Sequence, residues 1–219
     1  MTNSDIKTAV VTGNHEYDVL NFQRLFRELP GIDGYVQSLE DFATDPLGGW
    51  KRYDAVVFFN YHQDTPGTVG GELDDAVSVS LSELAASETG VVLLHHAILC
   101  YPQWDVWEDL SGIPTRGAAG SAADQTLRID PTNTDHPITS GLASWDMIDE
   151  YYAGVEVDDN NNVLLTTDHP ESMKIIGWTR DRPGGRTFCF QSGHDDQTWT
   201  NPTFRTVLER GVKWVAGQL

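Results

Sequence analysis

The stretch "GVVLLHHAI" (residues 90–98) runs four apolar residues, Val91 to Leu94, directly into two imidazoles, His95 and His96. Histidine changes charge near neutrality and ligates divalent metals, so a pair at the end of a buried strand points to proton transfer, carbonyl polarisation or metal binding. Three other apolar runs end the same way: "TGNH" in His15, "FNYH" in His62 and "QSGHD" in His194. His194 follows Gly193, which permits close approach, and precedes Asp195 and Asp196. An imidazole with a carboxylate partner is the usual general-base arrangement. "DEYYAG" (149–154) adds Asp149 and Glu150 at the start of another strand. Trp145, Tyr151, Trp178 and Trp199 supply aromatic planes that suit stacking on sugar rings. Plainer readings exist for each: His15 as a helix cap, His62 on a solvated edge, one of the His95–His96 pair bonded to a carbonyl, Asp149 and Glu150 in a solvated turn, the aromatics as core. His136 and His169 both stand in "DHP" and read as loop residues.

The elements that position these groups follow from periodicity. "KTAVVTG" (7–13) is a strand, and Val19, Phe22, Phe26 and Leu29 recur at helical spacing until Pro30-Gly31 stops the helix. Residues 34–42 form a second strand and 53–62 a buried third. Residues 71–88 form a helix with Leu73, Val77, Leu81 and Leu84 on one face, and Gly90 opens the next strand. Such alternation predicts an α/β fold: three layers, α/β/α, with a mostly parallel, flavodoxin-like central sheet. Residues 101–114 read as a short helix and 115–125 as a Gly/Ala/Ser-rich loop or hairpin turn. Three strands follow, "EYYAGVEV", "NVLLTT" and "MKIIGWTR", then the buried run 185–195 and a closing amphipathic helix with Phe204, Leu208, Val212 and Val215 inward. No repeat or long linker divides the chain, so a single domain, 1–219, is expected. In an open parallel sheet, ligands bind beyond the carboxyl ends of the strands. Five of the seven histidines are expected there.

Composition acts mostly by exclusion. A net charge of −19 repels phosphate backbones, which argues against a nucleic-acid partner. The excess of Asp over Glu and the scarcity of Lys suit a salty milieu, where self-repulsion is screened. No apolar run is long enough to span a membrane, and "MTNSDIKTAVV" lacks the basic and apolar regions of a leader. Cys100 and Cys189 lack metal-ligand spacing and read as free, buried thiols, so a reduced, cytoplasmic setting is expected.

With "VLLHHA", "HPITSGL" (136–142), "DEYY", "GGRTFCFQSGHD", "WTNPTF" and "GVKWVAG" in this order, the chain resembles the trehalose-utilisation (ThuA-like) family nearly end to end. The resemblance implies the fold of the class I glutamine amidotransferases. It places His95 at the nucleophile elbow, where those enzymes carry a cysteine. His194 and Asp196 would correspond to the base and its carboxylate. Imidazole cannot form the thioester, so glutaminase chemistry is not expected.

The family implies breakdown of a disaccharide through 3-keto sugar derivatives. In that reading His194 is the base, oriented by Asp195 or Asp196. His95 polarises the carbonyl or serves as the acid, and Glu150 holds a sugar hydroxyl. His15, His62, His96, Tyr151, Trp178 and Trp199 would line the substrate site. A metal variant gives His15, His95 and His194 to a divalent ion such as zinc, although no short-spaced pair such as H-x-x-x-H marks it. The alternative is a non-catalytic module that senses or carries a sugar. The partner is then a small carbohydrate, and the sequence leaves a homo-oligomer open.

Overall fold

The computed structural model describes residues 5–219; residues 1–4, the start of the stretch read above as lacking a leader, lie outside the described residues. Strands β1 (Ile6–Gly13), β2 (Ile32–Ser38), β3 (Ala55–Asn60) and β4 (Gly90–Leu94) alternate with helices α1 (Val19–Glu28), α2 (Leu39–Thr44) and α3 (Glu72–Ala85). Helix α1 starts where Asp18 accepts a hydrogen bond from the Asn21 amide. After β4 come a 3-10 turn (His95–Leu99), α4 (Asp105–Ser111), β5 (Gly120–Pro131), β6 (Trp145–Ala153), β7 (Asn162–Thr167), β8 (Ile175–Arg182) and β9 (Gly185–Phe190). Two helices close the chain, α5 (Asp196–Trp199) and α6 (Pro202–Val215). Asn201 caps α6 by accepting from the Thr203 and Phe204 amides, with Pro202 in the first turn, where its missing N–H is no loss.

All nine strands join one sheet in the order β2-β1-β3-β4-β9-β8-β7-β5-β6. Helices α1, α5 and α6 pack together, as do α2, α3 and α4, which covers the sheet with two helical layers. β3 and β4 are buried along their whole length, as strands covered on both faces must be.

The expectation of a mostly parallel sheet is corrected. Four pairings are parallel, β2–β1, β1–β3, β3–β4 and β4–β9. The other four are antiparallel. For β8 and β9 a short connection forces this: only Pro183 and Gly184 join them, whereas a parallel crossover needs about a dozen residues. The Gly/Ala/Ser-rich stretch expected as a loop supplies the start of β5, which pairs with β6 across a bulge between Ala122 and Gln125. The inward positions hold with two exceptions: Val19 and Leu73, in the first turns of α1 and α3, are half-exposed.

The antiparallel half does not continue outward as a flat extension. Four pairings of about 4.8 Å would put β6 about 19 Å from β9 along the sheet. Yet Gln191 Nε2, just past β9, donates to the Glu150 carbonyl on β6 at 2.7 Å. The sheet therefore curls back, and its edge strand lies over the carboxyl ends of β4 and β9.

Candidate active site

The curl brings β6 side chains onto the histidines at the strand ends. His95 stands at a sharp corner: β4 ends at Leu94, and His95 itself has φ +56°, the left-handed region that non-glycine residues enter only at a cost. This is the elbow conformation expected of a strand-to-turn corner that pushes one side chain into a site. The imidazole is completely buried. Its Nδ1 lies 3.0 Å from the Gln191 carbonyl and 3.0 Å from Tyr152 Oη, while Nε2 faces Glu150 Oε2 at 3.2 Å and His194 Nδ1 at 3.3 Å. His96 Nδ1 meets the same Tyr152 hydroxyl at 2.7 Å, and its Nε2 is 3.8 Å from Glu150 Oε2. His194 Nδ1 approaches that oxygen to 3.2 Å. One ligand atom from each of His95, His96, Glu150 and His194 lies within 4.8 Å of the other three, so this set has the reach to hold a metal ion.

Charge follows from burial and these neighbours. Burial, reinforced by His95 and His15, lowers the His96 pKa to about 2. His15 falls to about 4, again through burial first and His95 second. Burial alone would raise the Glu150 carboxyl, but the close imidazoles of His194 and His95 outweigh it and hold Glu150 below its usual range. The same carboxylate raises His194. Asp149, buried beside it, is pushed up by desolvation. Its carboxylate accepts from the amides of Gly193 and His194 and so fixes the loop that carries His194.

The expected site residues divide clearly. His95, His96, His194 and Glu150 come together. His15 is next to them, its ring 4.5 Å from that of His96, but its atoms are not among the four mutually close ligands. Its Nδ1 faces the Glu16 carbonyl at 2.5 Å, and its Nε2 is buried without a partner. The carboxylate beside the His194 ring is Glu150, rather than Asp195 or Asp196. Asp195 accepts from the Gln197 amide to cap α5, and Asp196 lies in the first turn of that helix. His62 stacks on Tyr101 and borders a neighbouring cavity of about 420 Å³ with Asn14, Glu40 and Asp64. Tyr151 points away from the cluster, bonding Glu171 and packing on His169. Trp178 and Trp199 are core residues, which corrects their expected place at the substrate: Trp178 is fully buried and bonds the Ser111 carbonyl, while Trp199 props the Gly193 carbonyl. A larger cavity, about 660 Å³, borders β2 and α2 and is lined by Arg27, Tyr35 and Arg52, none of them part of the histidine cluster.

Tyr152 and Gln191 do not stand out by residue type. Strand alternation offers a signal for Tyr152, because residues 150 and 152 share one side of β6. Nothing in the sequence announces Gln191, whose role depends on the curl of the sheet.

The fold and corner define a mixed α/β protein with one large sheet, whose strand-to-turn corner after β4 carries histidine. Neither cysteine is free to act there: Cys100 directs its thiol at the Asn60 carbonyl, Cys189 directs its thiol at the Ser111 carbonyl, and burial pushes both thiol pKa values up. The trehalose utilisation (ThuA) family model matches residues 14–215, and the chain belongs to that family. A ThuA-like protein from Parabacteroides merdae superposes with a TM-score of 0.75 at 17% identity, covering 97% of this chain and 90% of the other. A GMP synthase component from Thermoplasma acidophilum gives 0.57 at 12% identity, covering 97% and 95%. A β-galactosidase from Bacillus circulans gives 0.64 at 12% identity, with 98% of this chain matching 31% of that one. These likenesses are of fold. No curated protein matches the chain by sequence. Among the described residues, no helix is long and apolar enough to cross a membrane.

Proposed function

We propose that this chain is a sugar-processing enzyme acting on a disaccharide or its 3-keto derivative. The observation that carries the reading is the convergence of three imidazoles and one carboxylate at the carboxyl ends of β4 and β9, in a family associated with trehalose utilisation. That centre supplies the electrophile that stabilises negative charge growing on a carbonyl oxygen beside the bond to be changed. A base must then take the proton from the adjacent carbon. His15 fits that role, because with Nδ1 turned to the Glu16 carbonyl, Nε2 is left as a buried lone pair beside the cluster. The cavity by His62, with Asn14, Glu40 and Asp64, has room and polar groups for a second sugar ring. Removal of that proton opens the way to enolisation or to eliminative cleavage of a glycosidic bond.

The test is incubation with a 3-keto disaccharide in heavy water, followed by NMR. Exchange or loss of the proton next to the ketone is expected. His15→Asn should lower turnover by about 10²–10⁴ while the sugar still binds. Binding of keto and parent sugars with no exchange or cleavage would overturn the enzyme reading in favour of a sensing module.

A further inference from the structure

Glu150 Oε2 presents a problem that the protein alone does not resolve. The oxygen is buried and has no hydrogen-bond partner, although His95 Nε2 and His194 Nδ1 each stand 3.2 Å away. The distances are short, but the angles are not those of hydrogen bonds. An unsatisfied buried carboxylate oxygen is costly, and lone pairs turned toward one another at this range repel. Something positive belongs among them.

The spacing indicates what. A tetrahedral centre with bonds of about 2.0–2.1 Å has ligand–ligand edges of about 3.3–3.4 Å. The edges here are 3.2 Å for His95–Glu150, 3.2 Å for His194–Glu150 and 3.3 Å for His95–His194. His96 stands outside this spacing, its Nε2 3.8 Å from the same oxygen, with all four ligand atoms within 4.8 Å of one another. The outward nitrogens are already engaged. His95 Nδ1 has the Gln191 carbonyl as acceptor, and His96 Nδ1 has Tyr152 Oη. The Gln191 carbonyl can only accept, which sets His95 with Nε2 as a lone pair, while Tyr152 Oη, which also lies 3.1 Å from His95 Nε2, accepts from His96 Nδ1 in the tautomer that turns the His96 Nε2 inward, the usual support of metal-bound histidine. We propose that His95, His96, Glu150 and His194 bind one divalent transition-metal ion, with Gln191 and Tyr152 as its outer support. The mixture of three imidazoles and a carboxylate suits zinc first, with manganese and iron as acceptable occupants. A proton shared between Glu150 and the imidazoles is the rival occupant.

The ion would be the electrophile of the sugar chemistry proposed above, and to that extent its role rests on that reading, but its binding is testable without any sugar. The full chain, stripped by chelator and dialysed, is titrated with Zn²⁺, Mn²⁺ and Co²⁺. Uptake is followed by calorimetry, by elemental analysis and, for Co²⁺, by visible absorption bands. About one equivalent per chain is expected, with His194→Ala and Glu150→Gln each weakening uptake by about 100-fold or more. The His194 ring is 31% exposed, so its removal leaves no buried hole, and circular dichroism checks that the variant folds. His136→Ala, far from the cluster beside Trp214, should bind as the parent does. A folded parent protein that takes up none of these ions would overturn the proposal and leave the shared proton. So would uptake unchanged in both His194→Ala and Glu150→Gln. Metal uptake without turnover on keto sugars would sustain the site and count against the sugar reading alone.

Discussion

Tyr152 sets the geometry of the centre with a single hydroxyl. Buried on β6, it reaches Nδ1 of both His95 and His96, and its own ionisation is pushed far up by burial, so it serves as a neutral hydrogen-bonding post. Tyr152→Phe keeps the ring and its packing but strips both imidazoles of that partner. The expected loss of stability is about 1–2 kcal/mol. Metal affinity should fall by about 10–100-fold, because the tautomer and ring orientation are no longer fixed. Denaturant unfolding and Zn²⁺ titration read the two effects separately, and an unchanged affinity would make the hydroxyl structural only. The histidines themselves are legible in the sequence, since an imidazole at the end of an apolar strand is conspicuous. Glu150 is visible there as a charged residue at a strand start, with a sugar contact expected of it, whereas the role proposed for it here is that of a metal ligand. The choice of Tyr152 over Tyr151 turns on which side of β6 faces the cluster, and that is fixed by a neighbour remote in sequence.

Among the elements, the parallel half is readable where a strand is followed by a helix with its own stop signal, as Pro30-Gly31 ends the first; the strand expected over 34–42 instead gives way after Ser38 to the short helix α2, capped by the Ser38 hydroxyl. The antiparallel half is not readable, because β5 begins in a small-residue stretch that becomes strand only by pairing with β6. The loop after the elbow hides a second device. Arg116, 2% exposed, donates to the carbonyls of Cys100, Tyr101, Trp104 and Ile113. One planar guanidinium thus gathers the chain between the His95 corner and β5. Lysine carries the charge but cannot present that fork. Arg116→Lys should cost about 2–4 kcal/mol, since several buried carbonyls lose partners together. It should also loosen the turn behind His95 and His96. Thermal unfolding measures the first effect and amide exchange in residues 100–104 the second. Protection unchanged from the parent would show that the loop holds without the clamp.

For the whole molecule, the decisive quantity is the charge of −19, from 33 acidic and 14 basic residues. Folding gathers these carboxylates onto one compact surface, so their mutual repulsion opposes the folded state. The exposed pairs Arg24–Glu28 and Lys51–Glu83 pull the other way, but water screens each of them and keeps its contribution small. The excess charge should win. Salt shortens the screening length from about 10 Å at 0.1 M to about 3 Å at 1 M, which relieves the repulsion among surface charges while scarcely touching the buried cluster. The thermal midpoint in sodium chloride at neutral pH should therefore rise across that range. A relief of about 1–2 kcal/mol corresponds to about 2–8 °C for a chain of this size. Near the sequence pI of about 4.4 the net charge is close to zero, and the same addition of salt should then raise the midpoint far less. A midpoint that falls with salt at neutral pH would mean that the paired charges outweigh the unpaired ones. An equal rise at both pH values would point to salt acting on apolar burial instead of on charge.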